Sequence, residues 1–333
     1  MQKWRKLLIP FSFLYAPIIL LRNWLYDKGV FHSQKFDFPV ICIGNLSMGG
    51  TGKSPAIEWL IRLLQNNFSL ATLSRGYKRT TKGFLEVTEN SNAKEVGDEP
   101  LQFKLKFPAV KVAVDENRAN GIDTLQSKYS PKVILLDDAF QHRRVQAGLA
   151  ILLTVFDDLY INDWILPAGN LRETTQGAKR ADIIIITKCP SDLSENERST
   201  IAEKFSLLPH QFLFFAYIDY AEEIVFADKK QSLSSIEAFT LVTGIANPKP
   251  LVNKLKKDGK EFKHLVFTDH HSFSDNELKN LLKEEFILTT EKDYVRLKDY
   301  IPKEKIAYLP IQMKLFEEEK CAKIVREFCV SFD

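Results

Sequence analysis

Residues 38–55 read FPVICIGNLSMGGTGKSP, and this stretch decides the fold of the chain. It begins with an apolar, strand-like run, continues into a glycine-rich loop and ends where a helix can start. The P-loop pattern is Gly, four residues of any type, and then Gly-Lys-Ser or Gly-Lys-Thr. Gly52, Lys53 and Ser54 match this pattern, whereas Ser47 stands in place of the first Gly. A strand, this loop and a helix in succession predict a nucleoside-triphosphate site rather than an incidental glycine-rich turn.

The predicted nucleotide-binding residues form one continuous loop: Ser47, Met48, Gly49, Gly50, Thr51, Gly52, Lys53 and Ser54. Glycines in such a loop let backbone N–H groups point at phosphate oxygens. Lys53 can reach the β- and γ-phosphates, and the Ser54 hydroxyl can bind Mg²⁺. The loop therefore predicts a site for a nucleotide together with Mg²⁺.

A second element of the site is VILLDD at residues 133–138, where four apolar residues end in paired carboxylates. In P-loop enzymes an Asp at the end of a neighbouring strand holds Mg²⁺. An Asp pair by itself often only begins a loop, so its meaning depends on the P-loop upstream. We predict Ser54 and Asp138 as metal ligands, with Asp137 as an alternative or supporting ligand.

Apolar runs recur along the chain and are separated by segments with helical potential. They cover residues 39–43, 69–73, 110–114, 133–136, 150–154, 183–187, 212–217, 239–243, 264–268, 286–289 and 306–309. Strands that alternate with helices predict an α/β fold, here of the P-loop NTPase type with a mostly parallel sheet. A polar segment after Pro190 suggests a boundary. We expect a P-loop kinase domain over residues 36–190 and a second, smaller α/β domain over residues 191–333 that completes the active site.

The N-terminus carries fifteen uncharged residues, LLIPFSFLYAPIILL, at positions 7–21. As a helix this run would span about 22 Å, less than the roughly 30 Å hydrocarbon core of a bilayer. Basic residues flank it, and no cleavage site of the small-x-small type follows. Four aromatic residues suit the headgroup level: Trp4, Tyr15, Trp24 and Tyr26. We predict a membrane-associated helix within residues 1–30, monotopic or nearly spanning; an ordinary buried helix stays as the alternative.

Charge and cysteine content exclude several classes of protein. The chain of 333 residues has a net charge of +3, and its basic excess lies within residues 1–30 rather than on the body. A nucleic-acid binder would carry that charge on a folded face. The four cysteines show no CxxC spacing, which argues against a disulfide framework or a zinc site and favours a reducing compartment.

Other nucleotide-dependent classes fit less well. A switch GTPase needs Asp-x-x-Gly after the second strand, but the sequence after Asp137 lacks that glycine. TKCP at 187–190 lacks the final Asp of the base-recognition motif, and a partitioning ATPase would have Lys in place of Met48. Two rivals to a kinase stay open: a membrane-tethered NTPase that acts as a switch, and a non-catalytic nucleotide-binding scaffold.

A kinase also needs a base for the acceptor hydroxyl. GDEP at 97–100 offers two carboxylates in a turn, and DHH at 269–271 follows a strand end, where α/β sites gather. A His beside a carboxylate can be held in one tautomer and share a proton. Each motif by itself is as compatible with an exposed loop as with a catalytic group.

Together these motifs resemble the family of tetraacyldisaccharide 4′-kinases, the lipid A kinases of Gram-negative bacteria. The matching segments are GNLSMGGTGKSP (44–55), LSRGYKR (73–79), VGDEP (96–100), DENR (115–118), LLDDAFQHRR (135–144), LPAGNLRE (166–173), TKCP (187–190), FTDHHSF (267–273) and TTEKD (289–293). In this family the first P-loop glycine is commonly Ser or Thr, which accounts for Ser47. Ala139 departs from the usual Asp-Asp-Gly, and the last 35 or so residues carry no motif.

The resemblance implies transfer of the γ-phosphate of ATP to the 4′-hydroxyl of tetraacyldisaccharide 1-phosphate, which forms lipid IVA in lipid A biosynthesis. It implies ATP and Mg²⁺ as cofactors, a lipid substrate and a membrane surface as partners, and no nucleic acid or obligate protein partner. The expected location is the cytoplasmic face of the bacterial inner membrane.

The resemblance also implies roles for individual residues. Asp98 becomes the base for the sugar hydroxyl, supported by His270, while Lys53 and Asp138 act on the phosphates and the metal. The predicted substrate-binding residues are Arg75, Glu99, Arg118, Gln141 and Arg172. Arginine matches phosphate in a bidentate manner, although structural ion pairing is the alternative for each of these arginines.

Overall fold

The computed structural model describes residues 3–332, without the side chains of Lys3, Trp4 and Lys6, so the predicted lipid contacts of Trp4 lie outside the described residues. The helices are α1 (Ile9–Asp27), α2 (Lys53–Leu64), α3 (Ala93–Val96), α4 (Asp98–Lys106), α5 (Arg118–Tyr129), α6 (Glu195–Ala202), α7 (Lys249–Lys257), α8 (Asp275–Leu281), α9 (Glu291–Leu297) and α10 (Glu318–Val330). Short 3₁₀ helices cover Lys3–Leu8, Tyr160–Asn162, Thr175–Arg180 and Leu233–Ser235. The strands are β1 (Val40–Asn45), β2 (Leu70–Ser74), β3 (Leu85–Val87), β4 (Lys111–Val114), β5 (Val133–Asp137), β6 (Leu149–Val155), β7 (Ile183–Thr187), β8 (Phe212–Tyr220), β9 (Glu223–Val225), β10 (Lys230–Ser232), β11 (Ala238–Thr243), β12 (Glu261–Val266), β13 (Ile287–Thr289), β14 (Ile306–Tyr308) and β15 (Ile311–Leu315).

A large sheet of nine strands has the order β15-β8-β7-β6-β1-β5-β2-β4-β3. Its seven inner strands are parallel, and both edge strands, β3 and β15, run antiparallel to their neighbours. Strands β1, β2, β5 and β7 are buried at every residue, because apolar clusters cover both faces of the sheet. The predicted α/β fold with a mostly parallel sheet is confirmed.

The register of the large sheet sets the geometry of the phosphate site. β1 lies between β5 and β6, and Ile43 pairs with Asp137. The loop after β1 and the acidic pair at the end of β5 therefore meet at the same edge of the sheet, as the two motifs predicted.

A smaller sheet of six strands has the order β10-β9-β14-β13-β11-β12. Strands β11 to β14 are parallel, whereas β9 and β10 are antiparallel to their neighbours. Its two apolar clusters are built from residues 220–309. The loops after its parallel strands face the same cavity as the loops of the large sheet.

The eleven predicted strand runs all coincide with strands, and the four strands that were not predicted are β3, β9, β10 and β15. The predicted domain division between residues 190 and 191 stays a prediction, and sheet membership does not follow it. β8 and β15 pair with each other in the large sheet, and residues of α10 pack in its core. The small sheet is thus formed within the segment between β8 and β15.

Helix α1 has two distinct faces. Its inner face is tied to the body by hydrogen bonds from Ser12 to the carbonyl of Ile165, from Tyr15 to the carbonyl of Arg172 and from Asn23 to Glu173. Tyr15 therefore points inward and not to a headgroup layer, because it follows Ser12 on the same side of the helix. The outer face exposes Phe11, Leu14, Ile18 and Leu21, each to more than half of its full area. None of the helices within residues 3–332 has the length and apolarity needed to cross a bilayer.

Candidate active site

A cavity of about 880 Å³ lies where the two sheets face each other. The loops that follow β1, β2, β4 and β5 of the large sheet line one side, and the loops that follow β11, β12 and β13 line the other. Helix α1 adds Tyr15, Ile19 and Arg22 to the wall. The carboxyl ends of parallel strands are where α/β proteins bind ligands, and here two such ends share one cavity.

The phosphate loop has the backbone that its glycines allow. Gly49 has φ +115° and Gly52 has φ +87°, a left-handed region that other residues rarely adopt. Gly52 caps the N-terminus of α2, so Lys53 is the first residue of the helix. The Asn45 side chain donates to the Ser47 carbonyl at 2.7 Å and closes the turn after β1. The first turn of α2 thus presents free backbone N–H groups, which favour an anion.

The end of β7 supports this loop. The Thr187 hydroxyl donates to the Thr51 carbonyl at 2.8 Å, and Lys188 Nζ donates to the Gly50 carbonyl at 2.6 Å. Lys188 adopts a left-handed backbone with φ +58°. Its pKa is lowered by burial and by the charges of Lys292 and Lys53. The TKCP motif matched the family in sequence, but its function as a brace for the loop could be seen only in the structure.

The predicted metal ligands converge beside Lys53. The Lys53 ammonium lies 3.7 Å from Asp138 Oδ1, and Arg172 donates to both Asp138 oxygens at 3.0 and 3.2 Å. Asp137 Oδ1 is buried and accepts no hydrogen bond from any residue described in the structure. Burial, followed by the charges of Glu99 and Asp138, raises the pKa of Asp137 to about 7. A buried carboxylate oxygen without a donor is the kind of position that a cation would satisfy.

Oxygen donors suited to Mg²⁺ surround this point. The Ser54 hydroxyl donates to Glu99 Oε1 at 2.9 Å, and Asp137 and Asp138 line the same cavity. Within residues 3–332 no three acidic, His or Cys side chains form a ready-made metal cage. Mg²⁺ in phosphoryl-transfer sites usually takes one or two carboxylates and completes its shell with phosphates and water. The residues present therefore fit Mg²⁺ bound together with a nucleotide.

Glu99 is joined to the small sheet by Lys292 of α9. Lys292 Nζ lies 2.7 Å from Glu99 Oε1. Burial would raise the pKa of Glu99, but the charge and hydrogen bond of Lys292, the charge of Lys53 and the hydrogen bond from Ser54 together lower it to about 2. Lys292 belongs to the TTEKD motif, yet nothing in the sequence places it beside Glu99.

Asp98 and His270, which are 172 residues apart in the chain, form a hydrogen bond of 2.9 Å between Asp98 Oδ2 and His270 Nδ1. Arg296 donates to the same oxygen through Nε at 2.8 Å and through Nη2 at 2.5 Å. Burial would raise the pKa of Asp98, but the hydrogen bonds from His270 and Arg296 lower it to about 2. Every one of these bonds ends on Oδ2, so within residues 3–332 Oδ1 is left without a hydrogen bond. Asp98, which lines the cavity, is thus ionised and keeps Oδ1 available to a further donor.

Arg296 was missed by sequence reasoning. It lies one turn after Lys292 on α9 and is held by Asp293 Oδ1 at 2.9 Å and by the Gly244 carbonyl at 3.2 Å. The only available signal was its position four residues beyond a matching lysine. His270, its other neighbour, has a left-handed backbone with φ +55°, which turns the imidazole toward Asp98.

The predicted substrate-binding residues all line the cavity. Arg118 is buried and donates to the carbonyls of Asp115 and Asp137 at 2.6 and 3.3 Å. Gln141 donates to the Asn45 carbonyl at 2.7 Å, and Arg172 is paired with Asp138. These three side chains have structural partners, whereas Arg75 is exposed in the cavity. The geometry brings the residues together, and their roles toward substrate stay predictions.

Comparison with known proteins agrees with this arrangement. The profile of the family described as tetraacyldisaccharide-1-P 4′-kinase matches residues 4–329. A tetraacyldisaccharide 4′-kinase from Flavobacterium johnsoniae is 52% identical over 95% of this chain and 94% of the relative. The corresponding protein from Bacteroides fragilis is 44% identical over 96% of this chain and 91% of its own length.

The fold is shared with a solved structure of LpxK from Aquifex aeolicus, which was determined in complex with ATP. The two chains are 33% identical, with a TM-score of 0.81, over 98% of this chain and 99% of the other. The family profile spans nearly the whole chain. The two named relatives also align with almost the full length of this chain. On these grounds the chain belongs to the tetraacyldisaccharide-1-P 4′-kinase family.

Proposed function

We propose that this chain carries out the kinase reaction of its family in the cavity between the two sheets. The γ-phosphate of ATP is transferred to the 4′-hydroxyl of tetraacyldisaccharide 1-phosphate, the step that forms lipid IVA in lipid A biosynthesis. The observation that carries the proposal is that Lys53, the Asp137–Asp138 pair and the Asp98–His270 pair line one cavity although they come from two sheets. The relatives are named for the same reaction, and the related Aquifex aeolicus structure holds ATP.

The large sheet would hold the nucleotide. The backbone N–H groups of the loop and the first turn of α2 face the phosphates, and Lys53 neutralises the β- and γ-phosphate oxygens. Ser54, Asp138 and Asp137 would hold Mg²⁺, which when bound neutralises charge that develops on the phosphates. Arg172 and Lys53 both contact Asp138, so this carboxylate is fixed in place before the nucleotide arrives.

The acceptor hydroxyl would meet Asp98. The free Oδ1 accepts a hydrogen bond from the 4′-hydroxyl, while His270 and Arg296 hold Oδ2. A carboxylate with a pKa of about 2 is too weak a base to deprotonate an alcohol in advance. In a loose phosphoryl-transfer transition state the proton leaves late. The new O4′–P bond forms as the bond to the leaving ADP oxygen breaks, and the proton passes to Asp98.

The lipid substrate suggests how the chain is placed in the cell. We propose a peripheral association of α1 with the cytoplasmic face of the inner membrane, because its outer face exposes apolar side chains and its flanks are basic. The inner face of the same helix lines the cavity. A lipid resting beside α1 would thus have its sugar headgroup within reach of the catalytic groups. Cys42, Cys189 and Cys321 are buried free thiols, which suits a reducing compartment.

The test is a transfer assay with purified protein in detergent, γ-labelled ATP, Mg²⁺ and tetraacyldisaccharide 1-phosphate. We expect label at the 4′ position, loss of labelling without Mg²⁺, and loss of labelling in Lys53→Ala. Lys323→Ala serves as the matched control, because this lysine is exposed on α10 far along the chain. Steady phosphate release from ATP without lipid labelling would favour the NTPase switch. Lipid labelling that survives Lys53→Ala would refute the role given to the phosphate loop.

A further inference from the structure

A second cavity, of about 710 Å³, lies beside the catalytic cavity, and among the residues that the structure describes the two have no lining residue in common. The C-terminal end of α1 and the segment after it form one side of this second cavity. The opposite side is a face of the large sheet, with Cys42 of β1, Leu136 of β5 and Ala150 of β6. Small-molecule sites usually measure roughly 300–1,000 Å³. The size of the second cavity therefore suits a small organic ligand.

Two arginines of the second cavity have N–H groups to spare. The guanidinium of Arg143 stacks on Tyr26 at 5.3 Å, and that of Arg180 stacks on Phe140 at 4.8 Å. Stacking fixes each plane and leaves its edges free to bind oxygens. Arg143 pairs with Asp27, whose side chain is more than half exposed, so this pair contributes little. Arg180 uses only Nη2, and within residues 3–332 its Nε and Nη1 make no hydrogen bond. The two edges favour an oxyanion.

The remaining polar side chains of the second cavity suit hydroxyl groups. His32 and Gln146 line it, and neither side chain makes a hydrogen bond with any part of the chain that the structure describes. Asp182 accepts from the Ala150 N–H at 2.8 Å through Oδ2 only, and burial raises its pKa. Imidazole, amide and carboxyl groups can each pair with a ligand hydroxyl. The lining thus matches a molecule that carries one phosphate, for the two guanidinium groups, and several hydroxyl groups.

The segment of residues 137–143 separates the two cavities. Phe140 and Arg143 line the second cavity, whereas Gln141 lines the catalytic one. Phe140 also packs closely on Gly44 of β1, where an added Cβ would lie 2.6 Å from the Phe140 Cβ. Because β1 leads directly into the phosphate loop, a shift of Phe140 would reach that loop.

A buried carboxylate joins the second cavity to the catalytic groups. Glu173 accepts from Arg180 Nη2 at 2.8 Å and from Gln141 Nε2 at 3.1 Å. Gln141 in turn accepts from Arg172 at 3.4 Å, and Arg172 holds Asp138. An anion on the free edge of Arg180 would compete with Glu173 for this guanidinium. The competition would loosen the hold of Glu173 on Gln141.

We propose that the second cavity is an effector site for a phosphomonoester that bears hydroxyl groups, and that its occupancy lowers turnover through Arg180, Glu173 and Gln141. The binding of the ligand is independent of the reaction, whereas its effect on turnover rests on the proposed function. The effector is distinct from the lipid acceptor, whose reacting hydroxyl is assigned to Asp98 in the catalytic cavity. Coupling between two sites typically changes affinity by about 5- to 150-fold, and it is reciprocal.

Calorimetric titration tests the binding, with the nucleotide site saturated by ADP and Mg²⁺ so that no probe occupies the phosphate loop. The probes are glycerol 3-phosphate, ribose 5-phosphate and glucose 6-phosphate, and glycerol is the uncharged match for the first. We expect at least one phosphorylated probe to bind with a Kd of about 1 mM or tighter, as ligands of this size can. Glycerol should bind far more weakly. Absence of binding by all three phosphorylated probes would overturn the site.

Two variants locate the bound probe. Arg143→Ala should weaken its binding by at least about tenfold and Gln146→Leu by at least about twofold, the scales for hydrogen bonds to charged and neutral groups. Arg326→Ala and Gln65→Leu are the matched controls, because both side chains are exposed and lie outside the second cavity. If Arg143→Ala does not fold, Gln146→Leu still decides, since its side chain has no hydrogen bond to lose. Unchanged affinity in Gln146→Leu would place the probe elsewhere and overturn the proposal.

The coupling is measured by turnover of the lipid acceptor. A saturating probe should lower wild-type kcat/KM by at least about fivefold, and acceptor micelles should weaken probe binding in return. Glu173→Gln should still bind the probe but lose its effect on turnover. Probe binding without any change in kcat/KM, or equal inhibition in Glu173→Gln, would overturn the proposal and leave the kinase reaction intact. Absence of turnover without probe would contradict the proposed function, while the calorimetric titration would still decide whether the second cavity binds phosphomonoesters.

Discussion

At the scale of single residues, the two oxygens of Asp98 have different surroundings. Oδ2 takes the hydrogen bonds from His270 and Arg296, whereas Oδ1 accepts none from the residues that the structure describes. The cationic partners fix the direction of the carboxylate and keep it ionised. They also weaken it as a base, so orientation of the acceptor contributes more than proton affinity.

Replacement of Asp98 should therefore impair turnover more than nucleotide binding. We expect Asp98→Ala to lower kcat by at least about 100-fold, the usual scale for general-base groups, with little change in the affinity for ATP. Asp98→Asn is the matched control for shape without charge and should be similarly slow. Steady-state kinetics and equilibrium ATP binding measure the two quantities. Turnover close to normal in either variant would refute the role of Asp98.

Arg296 should control the acidic limb of the pH–rate profile. In the wild type the pKa of Asp98 is about 2, so Asp98 is ionised throughout pH 5–8 and contributes no acidic limb there. Loss of the guanidinium in Arg296→Met raises that pKa, and the ionised fraction then falls as pH decreases. We expect kcat/KM at pH 5 relative to pH 8 to drop in Arg296→Met and to be partly restored in Arg296→Lys. If kcat/KM instead fell by the same factor at every pH and the shape of the profile did not change, Arg296 would only support the fold.

At the scale of elements, three helices meet in a buried polar contact behind the site. Lys106 of α4 pairs at 2.6 Å with Glu58 of α2 and at 2.6 Å with Glu291 of α9. Gln102, one turn earlier on α4, donates to both glutamates. Asp98 lies on the same side of α4, two turns before Lys106. The contact thus ties the phosphate-loop helix, the helix of the acceptor base and the helix of Arg296 to one another.

Lys106→Met should destabilise this contact, because it leaves buried Glu291 without its cation and buried Glu58 with Arg62 as its remaining cationic partner. Removing one partner of a buried pair costs about 3–5 kcal/mol. Burial, followed by the charge of Glu58, raises the pKa of Glu291 to about 7. The fold therefore favours protonated Glu291, and this contribution is lost as pH rises from the ordinary value of 4.5 through about 7. We expect the loss in free energy of unfolding to be larger at pH 8 than at pH 5.

Denaturant unfolding at the two pH values measures this difference. Lys104→Met is the matched control on the same helix, because Lys104 donates to the backbone carbonyls of Pro108 and Val110 rather than to a carboxylate. Its effect should stay within about 1 kcal/mol. The proposed importance of the contact would be contradicted if the two variants lost equal free energy of unfolding. It would also be contradicted if the loss in Lys106→Met did not depend on pH.

At the scale of the whole molecule, each sheet supplies part of the site and α1 closes one side. The large sheet carries the phosphate loop and the acidic pair, whereas the small sheet carries His270, Lys292 and Arg296. Asp98 and Glu99 at the start of α4 receive the contacts from the small sheet. The nucleotide site belongs to the large sheet, whereas the residues that position the base Asp98 belong to the small sheet. Neither sheet by itself therefore contains a complete site.

The outer face of α1 should decide membrane binding. Phe11→Asp combined with Ile18→Asp should weaken binding to anionic phospholipid vesicles by at least about tenfold, because each removes exposed apolar area that would enter the bilayer. Turnover of acceptor dispersed in detergent should change much less. Val330→Asp on α10 is the control, since Val330 is also an exposed apolar side chain. Vesicle sedimentation measures the binding, and unchanged binding in the double variant would exclude this face as the membrane contact.

What the sequence predicts well is local. The eleven apolar runs became strands because a covered parallel strand is apolar at every position, and the P-loop is a contiguous motif. The three-residue strands β9 and β10 contain Glu, Lys, Gln and Ser, so they have no such signal. Arg296 and Lys292 escaped notice because their partners lie almost 200 residues earlier. The place of β15 beside β8 likewise depends on pairing between distant segments.

Three residues in or beside the site have a left-handed backbone conformation that non-glycine residues disfavour: Asp138 with φ +48° and His270 with φ +55°, which line the cavity, and Lys188 with φ +58°, which braces the phosphate loop. A left-handed backbone costs a non-glycine residue about 1 kcal/mol, so the sequence that functions best is not the sequence that folds most stably. At each of the three positions, the variant with glycine should have a higher melting temperature than the variant with alanine. Both variants lose the functional side chain, but only glycine adopts the left-handed conformation without steric strain. Evolution toward higher thermal stability would then tend to erode catalysis at these same three positions.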